Sequence, residues 1–293
     1  MSRTPGTTLR IAVLSDLHID RAVDENSWDL AKAVLRAALA LRPDHIVIAG
    51  DLFDCARAMH EDRDAVRRYL RGHGLWHRDR LTIVVGNHDV FETPERTRRG
   101  LARLAIAKPG AAYDAFCGWA GELARAADRL AGEDDLYPLE KRLGDVCLWA
   151  ADSTSNSVLT AANGYWRKDD DALLRASASS LGRGVRRVLA LHHAPFQDEE
   201  QTRLDILKRI WRLGFPPGDY RRLHRFLSTA AVDTLLCGHI HGGGEPWSEH
   251  LGRRGAWSHC LGRTHDLYDN EPLIGVLDVR ARGVARWATV AVT

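Results

Sequence analysis

Along the first third of the chain, nearly continuous apolar runs alternate with stretches in which apolar residues recur every third or fourth position. The runs "LRIAVLS" (9–15), "HIVIAG" (45–50) and "LTIVVG" (81–86) carry β-branched residues and predict strands buried on both faces. Between them, "NSWDLAKAVLRAALALRPD" (26–44) opens on Asn26 or Ser27 as a cap and ends at Pro43. "EDRDAVRRYLRGHG" (61–74) is a second amphipathic stretch, stopped by glycine. Strand, helix, strand, helix, strand is the order of parallel βαβ units with right-handed crossovers.

The middle of the chain is less regular. "AAYDAFCGWAGELARAADRLAG" (111–132) predicts a helix that Gly118 and Gly121 weaken. "DVCLWAADST" (145–154) and "VRRVLALHH" (185–193) predict strands, with a helix over "DDDALLRASASSLG" (169–182) between them. Helical pieces at 204–214 and 219–230 flank a Pro-Pro-Gly break, and "VDTLLCGH" (232–239) is again a strand. In the tail, four apolar segments separated by Gly-containing turns predict hairpins that complete a second sheet. No linker or repeat interrupts the pattern, so a single α/β domain over residues 1–293 is expected, with 196–218 as a candidate lid or cap.

Polar residues collect where the strands stop. The first strand runs into Ser15-Asp16-Leu17-His18, the second into Gly50-Asp51-Leu52-Phe53-Asp54, the third into Gly86-Asn87-His88-Asp89. The strand ending at Leu191 is followed by His192-His193, and the one ending at Cys237 by Gly238-His239-Ile240-His241. Parallel sheets place such ends along one edge, where these groups converge. Carboxylate oxygens and imidazole nitrogens without thiolates suit borderline divalent ions such as Mn, Fe, Co, Ni or Zn. The donors are too many for one tetrahedral ion and fit a pair of ions about 3.5–4 Å apart sharing a carboxylate.

Composition narrows the alternatives. The 293 residues carry a net charge of +2, with 45% hydrophobic and 27% charged residues, so a wholly disordered chain is excluded. That charge gives no general argument for nucleic acid or a membrane surface as partner. The five cysteines form no CxxC pair, and the N-terminus lacks the apolar core of a secretory signal. A cytoplasmic setting is the expectation.

The ordered set Asp16/His18, Gly50-Asp51, Gly86-Asn87-His88-Asp89, His192 and Gly238-His239-Ile240-His241 resembles the calcineurin-like metallophosphoesterase superfamily. That resemblance implies an α/β/β/α sandwich of two packed mixed β-sheets flanked by helices. It also implies two divalent metal ions, with Mn favoured for activity. Asp16, His18 and His241 would hold one, Asn87, His192 and His239 the other, and Asp51 would bridge. Either His192 or His193 fits the ligand position; His192 directly follows the apolar run. His88 is implied as general acid, with Asp89 hydrogen-bonding its ring.

The implied reaction is hydrolysis of a phosphodiester, or a phosphomonoester, by in-line attack of metal-bound hydroxide. The pattern leans to the small bacterial phosphodiesterase branch and to a small-molecule phosphoester as partner. A nuclease or a phosphoprotein phosphatase of the same fold, and a non-catalytic scaffold, are the alternatives. Near-neutral charge counts against the nuclease, and the filled ligand positions count against the scaffold. Arg57, His60, Arg98 and Arg203 are candidates to grip phosphate, and Tyr165 or Trp166 to stack a base.

Overall fold

The computed structural model describes residues 8–91, 110–133, 135–154, 163–195, 215–239, 247–250, 257–261, 272–280 and 285–292. The three leading apolar runs form β1 (Leu9–Leu14), β2 (His45–Ala49) and β3 (Leu81–Val84), which pair in parallel. Their crossovers are α1 (Glu25–Ala40) and α2 (Ala56–Gly72). The cap of α1 is Asp24, which accepts the Asn26 N–H at 3.0 Å, so the cap lies upstream of the expected Asn26 or Ser27. After β3 comes the single turn α3 (Asn87–Val90), then α4 (Gly110–Ala120). The helix expected over 111–132 ends at Ala120 and continues as short 3-10 turns, at the glycines that weaken it.

The second sheet is built from β4 (Leu139–Leu143), β5 (Val146–Ala150), β6 (Arg186–Ala190), β7 (Thr234–Cys237), β8 (Trp247–His250) and β9 (Trp257–Cys260). Helix α5 (Lys168–Ser180) joins β5 to β6, and α6 (Pro217–Thr229) precedes β7. Strands β5, β6, β7 and β9 are parallel, while β4 and β8 run antiparallel at the edges. The tail does not all enter this sheet. β10 (Leu273–Val279) and β11 (Arg286–Ala291) form a hairpin that pairs antiparallel with β1. The two mixed sheets therefore read β11-β10-β1-β2-β3 and β4-β5-β6-β7-β9-β8.

The two-residue period of a strand explains how the layers stack. On β5 and β6, Leu148, Ala150, Val188 and Ala190 join the core shared with Ile11, Val13 and Val47 of the first sheet. Their alternates Trp149, Ala151, Leu189 and Leu191 pack with Leu174 of α5 and Leu223 and Phe226 of α6. On the first sheet, Ala31, Val34, Leu35 and Ala38 present the apolar face of α1. The result is the α/β/β/α sandwich. Each large side chain buried this way contributes about 1.5–3 kcal/mol relative to exposure. The candidate lid 196–218 lies outside the described residues except for its last four.

Strand β4 escapes a hydrophobic reading because its central inward position is a lysine. Lys141 is buried at 1% exposure, and its Nζ donates to the Leu81 carbonyl at 2.7 Å and the Arg78 carbonyl at 3.3 Å. It thus closes the start of β3, the free edge of the first sheet. Burial, opposed by Asp128, lowers its pKa to about 7. Between that value and the ordinary lysine range, the unfolded chain binds the extra proton, so folding stability rises with pH there. Urea unfolding of Lys141→Met should show that rise lost between pH 7 and pH 10, relative to the native chain; equal pH slopes would contradict the burial penalty.

Candidate metal centre

Each parallel strand ends in a turn that forces side chains off the strand path. Among the described residues, the non-glycine positions with left-handed φ are Asp16 (54°), His18 (45°), Arg42, Asp51 (49°), Ala231 and His239 (74°). Most of that group are sequence-predicted ligands. Left-handed backbone costs about 1–3 kcal/mol at a non-glycine residue and persists where the surroundings over-determine it. Here it splays consecutive donors into one space.

Backbone N–H groups then aim the carboxylates. Oδ2 of Asp16 takes the His239 N–H at 3.0 Å and the Ser15 hydroxyl. Oδ1 of Asp51 takes the His88 N–H at 2.8 Å. Their other oxygens face the imidazoles: Asp51 Oδ2 stands 3.2 Å from His192 Nε2, and Asp16 Oδ1 stands 3.9 Å from His18 Nε2. Glycine makes this packing possible. A Cβ on Gly86 would lie 2.1 Å from Asp51 Oδ1, and one on Gly238 would lie 2.5 Å from Asp16 Oδ2. Side-chain proximity, more than backbone freedom, requires glycine at these two positions.

His192 shows what the pocket is built to hold. Its Nδ1 lies 2.9 Å from the Ala49 carbonyl, which can only accept, so Nδ1 carries the proton. In the neutral ring Nε2 is then a lone pair, and it faces Asn87 Oδ1 at 3.1 Å, His239 Nδ1 at 3.2 Å and Asp51 Oδ2 at 3.2 Å. These spacings match neighbouring ligand atoms on one ion with bonds of about 2.0–2.2 Å. Burial works to lower the pKa of His192, but the Asp51 charge outweighs it and lifts the value to about 10. The Asp51 and Asn87 oxygens facing Nε2 favour positive charge at this point, which a divalent cation is able to supply in place of the proton.

The donors sort into overlapping groups. Ring or carboxylate atoms of Asp16, Asp51 and His192 lie within 4.8 Å of one another, as do those of His18, Asp51 and His88, and those of His192, His193 and His239. Asp51 and His192 each belong to two of these groups. Burial opposes the ionisation of Asp51, but His192 and His88 hold its pKa well below the carboxylate range. His18, deeply buried, is lowered to about 4 despite a 3.3 Å contact between its Nδ1 and Asp54 Oδ1. Such a ring stays neutral at physiological pH, as ligation requires. His241 lies outside the described residues.

Two side chains differ from expectation. Asp89 does not bond the His88 ring: its oxygens take the N–H groups of Gly86 (2.8 Å) and Phe53 (2.9 Å). A fully buried carboxylate there ties the Asn87 turn to the Asp51 loop, as a capping residue does. Burial and the Asp51 charge push its pKa up to about 8. The His88 ring is held instead by the Asp54 carbonyl, 2.8 Å from Nδ1, and meets His18 edge-on at 4.6 Å. Asp54 thus orients both histidines, His88 through its carbonyl and His18 through its carboxylate.

The expected rim also changes. Arg57 is engaged by both oxygens of Asp20 (2.7 and 2.9 Å) and by Glu61. Trp166 is buried, with Nε1 donating to Asp171 at 2.8 Å, so it packs the fold and does not stack a base. Arg98 and Arg203 lie outside the described residues. Among the described residues, no helix is long and apolar enough to cross a membrane.

The chain is 30% identical over 105 residues to Metallophosphoesterase 1 of Danio rerio, a match covering 33% of this chain and only 28% of that protein's length. In three dimensions it is similar to a dimetal phosphatase from Danio rerio, with a TM-score of 0.62 and 14% identity over 97% of this chain and 99% of that one. It is also similar to a purple acid phosphatase from yellow lupin (Lupinus luteus) seeds, with a TM-score of 0.56 and 13% identity over 95% of this chain and 51% of that one. The calcineurin-like phosphoesterase family model matches residues 9–243. With a match over most of its length, the chain belongs to the calcineurin-like phosphoesterases, a family of dinuclear-metal-dependent phosphoester hydrolases.

Proposed function

We propose that this chain is a phosphodiesterase that uses two divalent cations, Mn among those it accepts, on a small-molecule diester. The observation that carries the reading is the convergence of buried donors on Asp51 from the ends of both sheets. Asp16 and His18, with His241, would hold one cation; Asn87, His192 and His239 would hold the other, with Asp51 between them. When bound, such ions polarise the phosphoryl group and make water nucleophilic near neutral pH.

The chain's own groups then have distinct tasks. His88 is part-exposed beside this buried cluster, so it can meet a ligand that its neighbours cannot. With Nδ1–H committed to the Asp54 carbonyl, Nε2 is the nitrogen left to exchange a proton, and in the imidazolium form it would protonate the leaving alkoxide. Asp54 and Asp89 keep the two loops in register. Arg57, in the first turn of α2, and Arg167, just ahead of α5, are each already engaged by a carboxylate. A diester carries one negative charge fewer than a monoester and suits a rim neutralised in this way. The near-neutral net charge supports a small ligand over a polymeric one.

A Mn-supplemented panel of bis-p-nitrophenyl phosphate, p-nitrophenyl phosphate, cyclic AMP and single-stranded DNA tests the reading. A small diester should be turned over fastest; fastest cleavage of the monoester or of DNA would replace the proposal. His88→Ala should keep its metal content in elemental analysis and lose about 10²–10⁴-fold in kcat. Asp51→Ala should lose both metal and turnover. Gly86→Ala should resemble it, because the added Cβ occupies the place of Asp51 Oδ1; an active, metal-loaded Gly86→Ala protein would contradict the packing argument.

A further inference from the structure

The loop after β5, Ala151-Asp152-Ser153-Thr154, adds a sixth polar strand end to the edge that carries the donors. Ser153 and His193 are both fully buried. The serine Oγ accepts the His193 backbone N–H at 3.1 Å and lies 2.9 Å from the ring Nδ1. The serine carbonyl accepts the Tyr165 N–H at 2.9 Å. Next to it, Asp152 accepts from Arg167 at 2.6 Å and from the Thr154 N–H at 2.7 Å. The loop is therefore pinned from both sides.

The ring it holds is wedged against two candidate ligands. The centroid of His193 is 4.3 Å from that of His239 and 4.9 Å from that of His192. Gly164 makes room for the side chain: a Cβ there would stand 2.7 Å from His193 Cβ. Successive residues leaving a strand aim in opposite directions. With His192 turned to the Ala49 carbonyl and Asn87, His193 approaches the pair from the Ser153 side.

We infer that His193 is a positioning residue: clamped by Ser153, its ring sets the orientation of the His192 and His239 imidazoles and so the affinity of the cation they would share. The inference rests on the dinuclear reading above. A partner that orients a ligating histidine commonly changes metal affinity by about 10–100-fold when removed.

The test is calorimetric titration of the metal-stripped full chain with Mn²⁺, comparing the native protein, Ser153→Ala and Ser153→Thr. One of two affinities should weaken about tenfold or more in Ser153→Ala, with the other unchanged, the melting temperature retained, and kcat restored at saturating Mn²⁺. Ser153→Thr, which keeps the hydroxyl, should bind as the native chain does. Equal affinities in Ser153→Ala, or equal losses in both variants, would overturn the role of the hydroxyl. A second measurement needs no variant. In ¹⁵N-histidine NMR of the native chain, Zn²⁺ loading should shift His192 and His239 nitrogens to coordinated values and leave those of His193 uncoordinated. A coordinated His193 would overturn the positioning role. A native chain that binds no Mn²⁺ or Zn²⁺ would instead remove the dinuclear reading itself.

Discussion

Lone pairs held against one another in a dry pocket are the constraint on which this structure turns. Asp51 Oδ2, Asn87 Oδ1 and His239 Nδ1 all stand about 3.2 Å or less from His192 Nε2, and burial leaves little water to separate them. With His192 neutral, its Nε2 lone pair and the Asp51 and Asn87 oxygens repel, and low dielectric strengthens the repulsion. Positive charge at the centre reverses the sign. The high affinity of His192 for a proton is the local expression of that demand. Left-handed backbone at Asp16, His18, Asp51 and His239 is a further cost that cation binding would offset.

The centre lies over the seam between the sheets. Asp16, Asp51 and Asn87 come from β1, β2 and β3, whereas His192 and His239 come from β6 and β7. Their mutual geometry is set by the shared core of Ile11, Val13, Leu148, Ala150 and Val188, which fixes how one sheet rests on the other. Direct bonds across the seam add to it: the Ala49 carbonyl meets His192, and Asp16 accepts the His239 N–H. Packing in the interior thus reaches the chemistry at the edge through rigid strands.

Much of this was legible in the order of residues, because buried parallel strands announce themselves as apolar runs and their ends as sudden polar clusters. The leading three strands and the donors behind them needed little more than that pattern. What escaped it had physical causes. β4 hides behind Lys141, a charged residue at an inward position that is satisfied by two carbonyls invisible in the sequence. The β10–β11 hairpin looks like any tail hairpin; only long-range pairing with β1 assigns it to the first sheet. Asp89 caps the Asn87 turn and leaves the His88 ring to the Asp54 carbonyl, because a carboxylate beside a histidine in sequence need not face it in space. Ser153 carried a weaker signal: "ADST" following an apolar run is one more polar strand end.

Anomalous diffraction from crystals of the native chain grown with Mn²⁺ tests the central claim most directly. The account predicts two peaks about 3.5–4 Å apart on either side of the Asp51 carboxylate, one beside Asp16 and His18 and the other beside Asn87, His192 and His239. A single peak away from Asp51, or none at saturating Mn²⁺, would contradict it.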